Sequence, residues 1–506
     1  MAIGSTLADE LHNFRRLQGR LPPLFKTVFS DPLAPRAVVI LPSLSLDAEV
    51  LAKITGVHHY EERMLCLLLL LRLPRTRIIY LTSQPIPDSI IDYYLHLLPG
   101  IPTRHARSRL TTLACHDGAS VPLTAKILAR PRLIERISAA IGDPMTAHLS
   151  CFNVSALERA LAIRLDVPIY GCDPELLPLA SKSGGRRLLR TAGVAVPDGA
   201  EDLSDAQQLA DALAELKHRH PTMQRAVVKL NEGFSGEGNA TFAFDGALPD
   251  RGLSKWIGSR LPRLAFGAKG MGWETYEAKV KQMGAVAEAF VEGAEKRSPS
   301  AQYRVDPLGH VEVISTHDQV LGGPAGQVFL GCRFPADPSY RLEIQAEGLK
   351  AAEALRDRGV LGRFGIDFVS VRESGVWRHY GIEINLRKGG TTHPFLMLQF
   401  LTDGRYDPTT GDFRTPTGRL CCYEASDNLE GPQYRGLTPD DLIDIAVVNR
   451  LHFHGATQDG AMFHLLGALS EFGKFGLMTV AETPVRAAAL YRDTVAAIER
   501  ECLPGR

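Results

Sequence analysis

Short apolar runs alternate with amphipathic stretches over roughly the first third of the chain. Residues 36–41 (RAVVIL) and 77–81 (RIIYL) are continuous apolar runs of the kind buried on both faces of a sheet. Residues 60–73, dense in leucine, and 87–98 read as helices. Strands alternating with helices predict a doubly wound parallel sheet over 1–175. The first strand runs into LPSLSLD rather than a GxGxxG turn, so this unit carries no dinucleotide fingerprint and is expected to supply one wall of a cleft. Near 175 the pattern changes. A short strand at 166–171 and a helix at 173–183 lead into SKSGGRRLLRTAGVAVP, a basic helix stopped by Gly193 and Pro197. Its arginines read as a solvated face. Helices follow at 204–218 and 340–358, and strands at 226–230, 303–305 and 310–315. Residues 245–285, with Trp256 and Trp273, read as an inserted surface decoration. Beyond about 425 the pattern predicts a separate C-terminal unit with helices at 437–448 and 486–501 and an apolar helix between them.

The chemistry concentrates in GRFGIDFVSVRESGVWRHYGIEINLRKGGTTHP, residues 362–394. Residues 364–371 and 376–385 are β-prone and flank a four-residue turn, so the stretch predicts a hairpin. Asp367 interrupts an apolar strand, where an unpaired charge is costly. Glu383 and Asn385 lie two apart and project from one face. Carboxylates and an amide oxygen on one surface suit Mg²⁺, which keeps the rest of its octahedron for phosphates and water. Arg387, Lys388, Thr391, Thr392 and His393 follow, a run suited to an anionic substrate. The same spacing also suits an ordinary solvated hairpin end. Upstream, a strand carrying Lys229 enters a loop with Gly233, Ser235, Gly236 and Gly238 before the next strand. Glycines let backbone amides converge on phosphate oxygens, and the lysine adds a point charge. Lys182 stands among small residues where a ligand can approach.

Glu-x-Asn-x-Arg at a strand end, with Asp on the strand before it, resembles the magnesium site of ATP-grasp ligases, and EINLRKGGTTHP resembles the pheganomycin-type peptide ligases within that superfamily. Lys229 with its glycine-rich turn is similar to the hairpin lid those enzymes fold over a triphosphate. The resemblance implies an α/β (α+β) ATP-grasp fold, with an N-terminal doubly wound α/β domain over 1–175, the ATP-grasp domain over 176–424 and a small C-terminal domain over 425–506. It implies that Lys182, Lys229 and the loop bind ATP, that Glu288 with the backbone of Phe290 and Val291 meets adenine, and that Glu295 meets ribose, with Glu292 as its rival. Mg²⁺ would sit on Asp367, Glu383 and Asn385. Arg387 and Lys388 would stabilise the tetrahedral oxyanion, and Thr391, Thr392 and His393 would hold the acid. The implied reaction is ADP-forming carboxylate–amine ligation through an acyl phosphate, joining an amino-acid-like acid to an amino acid or peptide amine in secondary metabolite biosynthesis. A phosphotransferase that stops at a phosphorylated product is the alternative.

Bulk properties narrow the field. At 506 residues the chain exceeds one core. Lys plus Arg and Asp plus Glu both total 57, which removes any net-charge argument for nucleic acid or a membrane surface. The eight cysteines form no CxxC pair and fit a reducing cytoplasm. The longest apolar run, residues 64–71, is far short of a bilayer span, and the N-terminus has no signal-peptide pattern. His452, His454 and His464 lack the spacing of a zinc site. A protein kinase is excluded, since neither HRD nor DFG occurs. The expectation is a cytoplasmic enzyme, with room for a homodimer.

Overall fold

The computed structural model describes residues 6–46, 48–233, 238–246, 252–268, 270–322 and 328–502. β1 (Arg36–Leu41), β2 (Thr76–Thr82), β3 (Leu110–Ala114) and β4 (Ala147–Cys151) form a parallel sheet in the order β3-β2-β1-β4. Every residue of β1 is buried, as a central strand that is apolar after Arg36 requires. The leucine-rich segment is a helix over Val57–Arg72, wound in the tighter 3-10 form, and Met64, Leu65, Leu68 and Leu71 bury against the sheet. Residues 166–171 do not extend the sheet as a strand. They make one bridge, Ile169 to Leu149, because Asp166 is left-handed at φ 51° and Pro168 has no amide to donate.

A second, antiparallel sheet is built from β5 (Gly199–Leu203), β6 (Arg225–Leu230), β7 (Asn239–Ala243), β8 (Ala265–Phe266) and β9 (Ala285–Ala289), in the order β5-β9-β6-β7-β8. The segment 245–285 is not a surface decoration. Its β8 pairs with β7, and Leu253, Ile257, Tyr276 and Val280 belong to the core under the sheet. The buried Tyr276 hydroxyl lies 3.2 Å from the Val228 carbonyl and 3.0 Å from that of Gly238, against the start and end of the lysine–glycine turn.

The third sheet carries β10 (Glu295–Arg297), β11 (Pro299–Val305), β12 (Val311–Gly322), β13 (Val328–Phe334), β14 (Gly362–Glu373) and β15 (Val376–Asn385). A small hairpin, β16 (Arg405–Asp407) and β17 (Asp412–Arg414), stands apart, and the large sheet resumes with β18 (Cys422–Glu430), β19 (Gly460–His464) and β20 (Lys474–Ala481). β14 ladders to β15 along one edge and to β11 and then β10 along the other. The boundary expected at 425 falls inside β18, which pairs with β13 on one side and β20 on the other. The C-terminal segment therefore completes the same sheet. Residues 460–464 and 474–481 are strands, not the expected apolar helix. Gly473, left-handed at φ 63°, ends the short helix Leu469–Phe472 before β20. A single apolar cluster runs from the Val57–Arg72 helix through Phe395 and Phe400 to Leu477 and Ile498, tying the N-terminal unit to this sheet.

The join between β13 and β18 is sterically demanding. A Cβ at Gly331 would lie 2.2 Å from the Ala425 carbonyl oxygen, a backbone atom that cannot step aside. Gly331→Ala is expected to cost about 1–3 kcal/mol of stability in urea unfolding. A change within about 0.5 kcal/mol would mean the join is looser than described.

Candidate active site

The second and third sheets, with Leu44, Tyr60, Arg63 and Phe152 of the N-terminal unit, enclose a cleft of about 1040 Å³, and the hairpin β14–β15 forms part of its wall. In the β14–β15 ladder Asp367 is directly opposite Glu383, and Gly365 is opposite Asn385. On the other edge Asp367 faces Ser300 of β11, and Gly365 faces Gln302. The pleat thus gathers these side chains on one surface. Ser300 Oγ donates to Asp367 Oδ1 at 2.6 Å, Asn385 Nδ2 to Asp367 Oδ2 at 3.0 Å, and Gln302 Nε2 to Ser300 Oγ at 2.8 Å. Gly365 keeps the surface open, since a Cβ there would come within 2.5 Å of the Gln302 amide.

Two carboxylates on adjacent strands repel. Burial, and then Glu383, push Asp367 up to about 6, against the hydrogen bonds of Ser300 and Gln319 and the charge of Lys182. Burial would raise Glu383 as well, but Lys182 outweighs it and holds Glu383 below the usual glutamate range. The contact is direct, with Lys182 Nζ 2.5 Å from Glu383 Oε1. Among the described residues no three His, Cys, Asp or Glu side chains converge, so the metal donors available here are two carboxylates and an amide. That set, with Gly365 leaving space beside it, fits a hard divalent cation that takes its remaining ligands from phosphates and water.

A second buried charge group centres on Glu288 of β9. Lys229 Nζ is 2.5 Å from Glu288 Oε2, and Arg186 Nη1 is 2.6 Å from Glu288 Oε1. Burial would raise the Glu288 carboxyl, but Lys229 and Arg186 prevail and hold it low. Arg186 corrects the expectation that the arginines of the basic helix face solvent. In the helix Lys182–Thr191 it is 1% exposed and also bonds Glu201 and the Pro197 carbonyl, whereas Arg187 and Arg190 remain about half exposed. Asn231, just past β6, fastens the start of this helix. Its carbonyl accepts from Lys182 N–H, and its Oδ1 accepts from both the N–H and Oγ of Ser183. Asn231 thereby sets Lys182 next to the strand that carries Lys229.

The remaining expected residues divide. Phe290, Val291, Arg387 and Thr391 line the cleft with Lys229, Glu288, Asp367, Glu383 and Asn385. Gly233 and Gly238 pack so closely that a Cβ on either would lie 3.3 Å from the other's Cα. Ser235 and Gly236 lie outside the described residues. The Phe290 N–H is engaged by the Arg225 carbonyl at 3.3 Å, and the Val291 carbonyl accepts from Lys296 Nζ at 2.9 Å. Glu292 is held by Arg225 in three contacts of 2.8–3.1 Å, and Glu295 by Arg297 and Arg372; neither lines the cleft. Lys388 turns away from it, donating to the Cys151 carbonyl, and burial draws its ammonium down to about 8. Thr392 Oγ1 is occupied by Gly389 N–H, and His393 is buried 3.0 Å from His464. Lys388, Thr392 and His393 are therefore not cleft contacts: the helix Thr392–Thr402 carries Thr392 and His393 into the apolar core, and Lys388 is held by the Cys151 carbonyl. Ser300, Gln302, Arg186 and Asn231 were missed. The spacing of Arg186 from Lys182 and Leu189 along one helix face was the available signal for its burial.

Comparison with known proteins supplies the context. The profile of the IQCH-like ATP-grasp family matches residues 175–248 and 266–408, and that of the PGM1 C-terminal domain matches 441–494. The L-propargylglycine–L-glutamate ligase of Streptantibioticus cattleyicolor is 31% identical over 448 residues, covering 86% of this chain and 88% of that protein. The IQ motif-containing protein H of Danio rerio is 23% identical over 458 residues, covering 80% of this chain but only 42% of that protein. Among solved structures, the Campylobacter jejuni biotin carboxylase complex superposes with TM-score 0.54 at 13% identity over 91% of each chain. An N5-carboxyaminoimidazole ribonucleotide synthetase bound to ADP superposes with TM-score 0.51 at 12% identity, over 93% of this chain and 98% of that one.

The Glu288 group yields a pH-dependent prediction. Glu288→Gln leaves Arg186 and Lys229 buried without their anion and is expected to destabilise the fold by about 3–5 kcal/mol near neutral pH. Because the folded-state value is depressed, this contribution is fully present above the ordinary 4.5 and is lost as pH falls through the lower folded value. Urea unfolding of both proteins from pH 7 downward should show the gap closing below 4.5. A gap constant with pH would contradict an ionised Glu288.

Proposed function

This chain belongs to the ATP-grasp carboxylate–amine ligases, and on that footing we propose that it joins an amino-acid-like acid to the amine of an amino acid or peptide, driven by ATP and releasing ADP and phosphate. The observation that carries this reading is the convergence of Asp367, Glu383, Lys229 and Arg387 on one cleft, with Lys182 beside Glu383. The relative named as joining L-propargylglycine to L-glutamate favours amino acids on both sides of the bond.

In this reading a carboxylate oxygen of the acid attacks the γ-phosphorus, the bond to the ADP oxygen breaks, and an acyl phosphate forms. The amine nitrogen then attacks the acyl carbon, phosphate departs, and the nitrogen's proton passes to solvent. Lys229, positioned by Glu288, and Lys182, positioned by Asn231, hold phosphate oxygens. Both lysines meet carboxylates in the ligand-free protein, so their charges are compensated until nucleotide arrives. Asp367, Glu383 and Asn385 would hold Mg²⁺, which supplies neutralisation of the charge developing on the phosphates. Arg387 steadies the oxyanion formed during amine attack, and Thr391, the one member of its pair facing the cleft, contacts the acid. Phe290, held between Arg225 at 4.0 Å and Lys296 at 4.2 Å, borders the adenine pocket together with Val291. All eight cysteines are free, which suits the cytoplasm to which we assign the enzyme. We place it in secondary metabolite biosynthesis.

Glu383→Gln tests the assignment. With Mg-ATP and a mixed pool of amino acids and short peptides, the parent enzyme is expected to give ADP and a product weighing acid plus amine minus water. The variant is expected to lose at least about a hundredfold in turnover while keeping its circular dichroism and unfolding transition. Full activity in the variant would refute the metal assignment. ADP with a phosphorylated but uncondensed product would refute the ligase.

A further inference from the structure

One wall of the cleft carries charges that neither the nucleotide nor the metal uses. Arg63, on the helix Val57–Arg72, lies over two rings, with its guanidinium 4.5 Å from the Tyr60 centroid and 4.6 Å from that of Phe152. It pairs with Asp427 at 3.3 Å. Lys474, at the start of β20, is 5.3 Å from the same Tyr60 ring and pairs with Glu430 at 3.2 Å. Arg63, Asp427 and Lys474 side chains are 7, 5 and 7% exposed, Glu430 is 45% exposed, and all four line the cleft. Asp427 lies where the β18–β20 register slips between Ser426 and Leu429, an irregularity that re-aims a side chain out of the ladder.

An ion pair as dry as Arg63–Asp427 is a poor way to hold a wall together, because desolvation offsets most of its attraction and apolar residues would serve as well. What the arrangement does provide is two cations and two anions around one aromatic ring, spaced on the surface of a cleft. A ligand carrying both charges can exchange partners with both pairs and leave no buried charge uncompensated. A ligand with one charge would strand its counterpart, which gives the site discrimination.

We propose that this wall is a subsite for a free amino acid, with Asp427 and Glu430 receiving its α-ammonium, Arg63 and Lys474 its α-carboxylate, and the Tyr60 ring lying between them. The proposal rests on the ligase reading for its place in the reaction and names one of the two substrates as a zwitterion rather than a peptide. It brings the N-terminal unit and the C-terminal strands into substrate selection, since the first supplies Arg63 and the Tyr60 ring and the second supplies Asp427, Glu430 and Lys474.

Binding to the full chain is measured by calorimetry with Mg-ADP present, for the twenty proteinogenic L-amino acids. The tightest binder is then compared with its N-acetyl and α-carboxamide derivatives, which stand for the last and first residues of a peptide. Each derivative is expected to bind at least about tenfold more weakly. Asp427→Asn and the half-exposed Glu430→Gln should remove most of the penalty for acetylation, and Lys474→Met most of that for the amide, with ADP affinity unchanged. The proposal is overturned if no amino acid binds, if the derivatives bind as well as the parent, or if the variants lower thermal stability without altering this discrimination. The readout keeps the two readings apart. Discriminating binding without amide formation would sink the ligase and leave the subsite, and amide formation without discrimination would do the reverse.

Discussion

Two carboxylates facing each other across a strand pair, inside a protein, are an arrangement that must be neutralised. Asp367 and Glu383 are held opposite by the β14–β15 register, and neither can withdraw without breaking the hairpin. In the ligand-free protein the compensation comes from Lys182, brought in on a helix whose first turn is fixed by Asn231 at the end of β6. The Asp367–Glu383 surface and the sheet that carries Lys229 are thereby linked through one lysine. The same arrangement recurs nearby, where Glu288 balances Lys229 and Arg186. Lys182 and Lys229 are each paired with an acid in the ligand-free protein, so an incoming anion would exchange one set of countercharges for another.

The scaffold explains how these groups stay in register. The hairpin lies in a sheet that continues through β18 and β20, and one apolar cluster joins this sheet to the leucine-rich helix of the first unit. Packing therefore fixes the first unit against the large sheet, while the sheet that carries Lys229 has a core of its own. Leu253, Ile257, Tyr276 and Val280 buttress the underside of the sheet that carries Lys229, and Tyr276 reaches the carbonyls that bracket the lysine–glycine turn.

Much of this was legible in the chain. Period-two alternation with a turn between placed the hairpin almost to the residue, and an acid inside an apolar strand marked Asp367 as needing a partner. What escaped has a common cause. Arg186 looks like any other arginine of a basic helix until Glu288 and Glu201 arrive from distant strands. Residues 460–464 and 474–481 are apolar enough for either a helix or a strand, and only their pairing with β18 decides. Lys388, Thr392 and His393 share the polar character of Arg387 and Thr391, but the helix beginning at Thr392 turns Thr392 and His393 into the core, and Cys151 of a distant strand holds Lys388. Asp427 and Lys474 carry no local motif and acquire meaning only when Arg63 and Tyr60 are folded against them.

The central claim, that ATP activates a carboxylate for attack by an amine, is tested most directly by isotope transfer. The enzyme is incubated with Mg-ATP and a pool of amino acids labelled with ¹⁸O in their carboxyl groups, and the phosphate released with ADP is examined by mass spectrometry. The account predicts one labelled oxygen in each phosphate formed, carried over when the amine displaces it from the acyl carbon. Label appearing in AMP, or ADP formed with unlabelled phosphate while an amide accumulates, would contradict it.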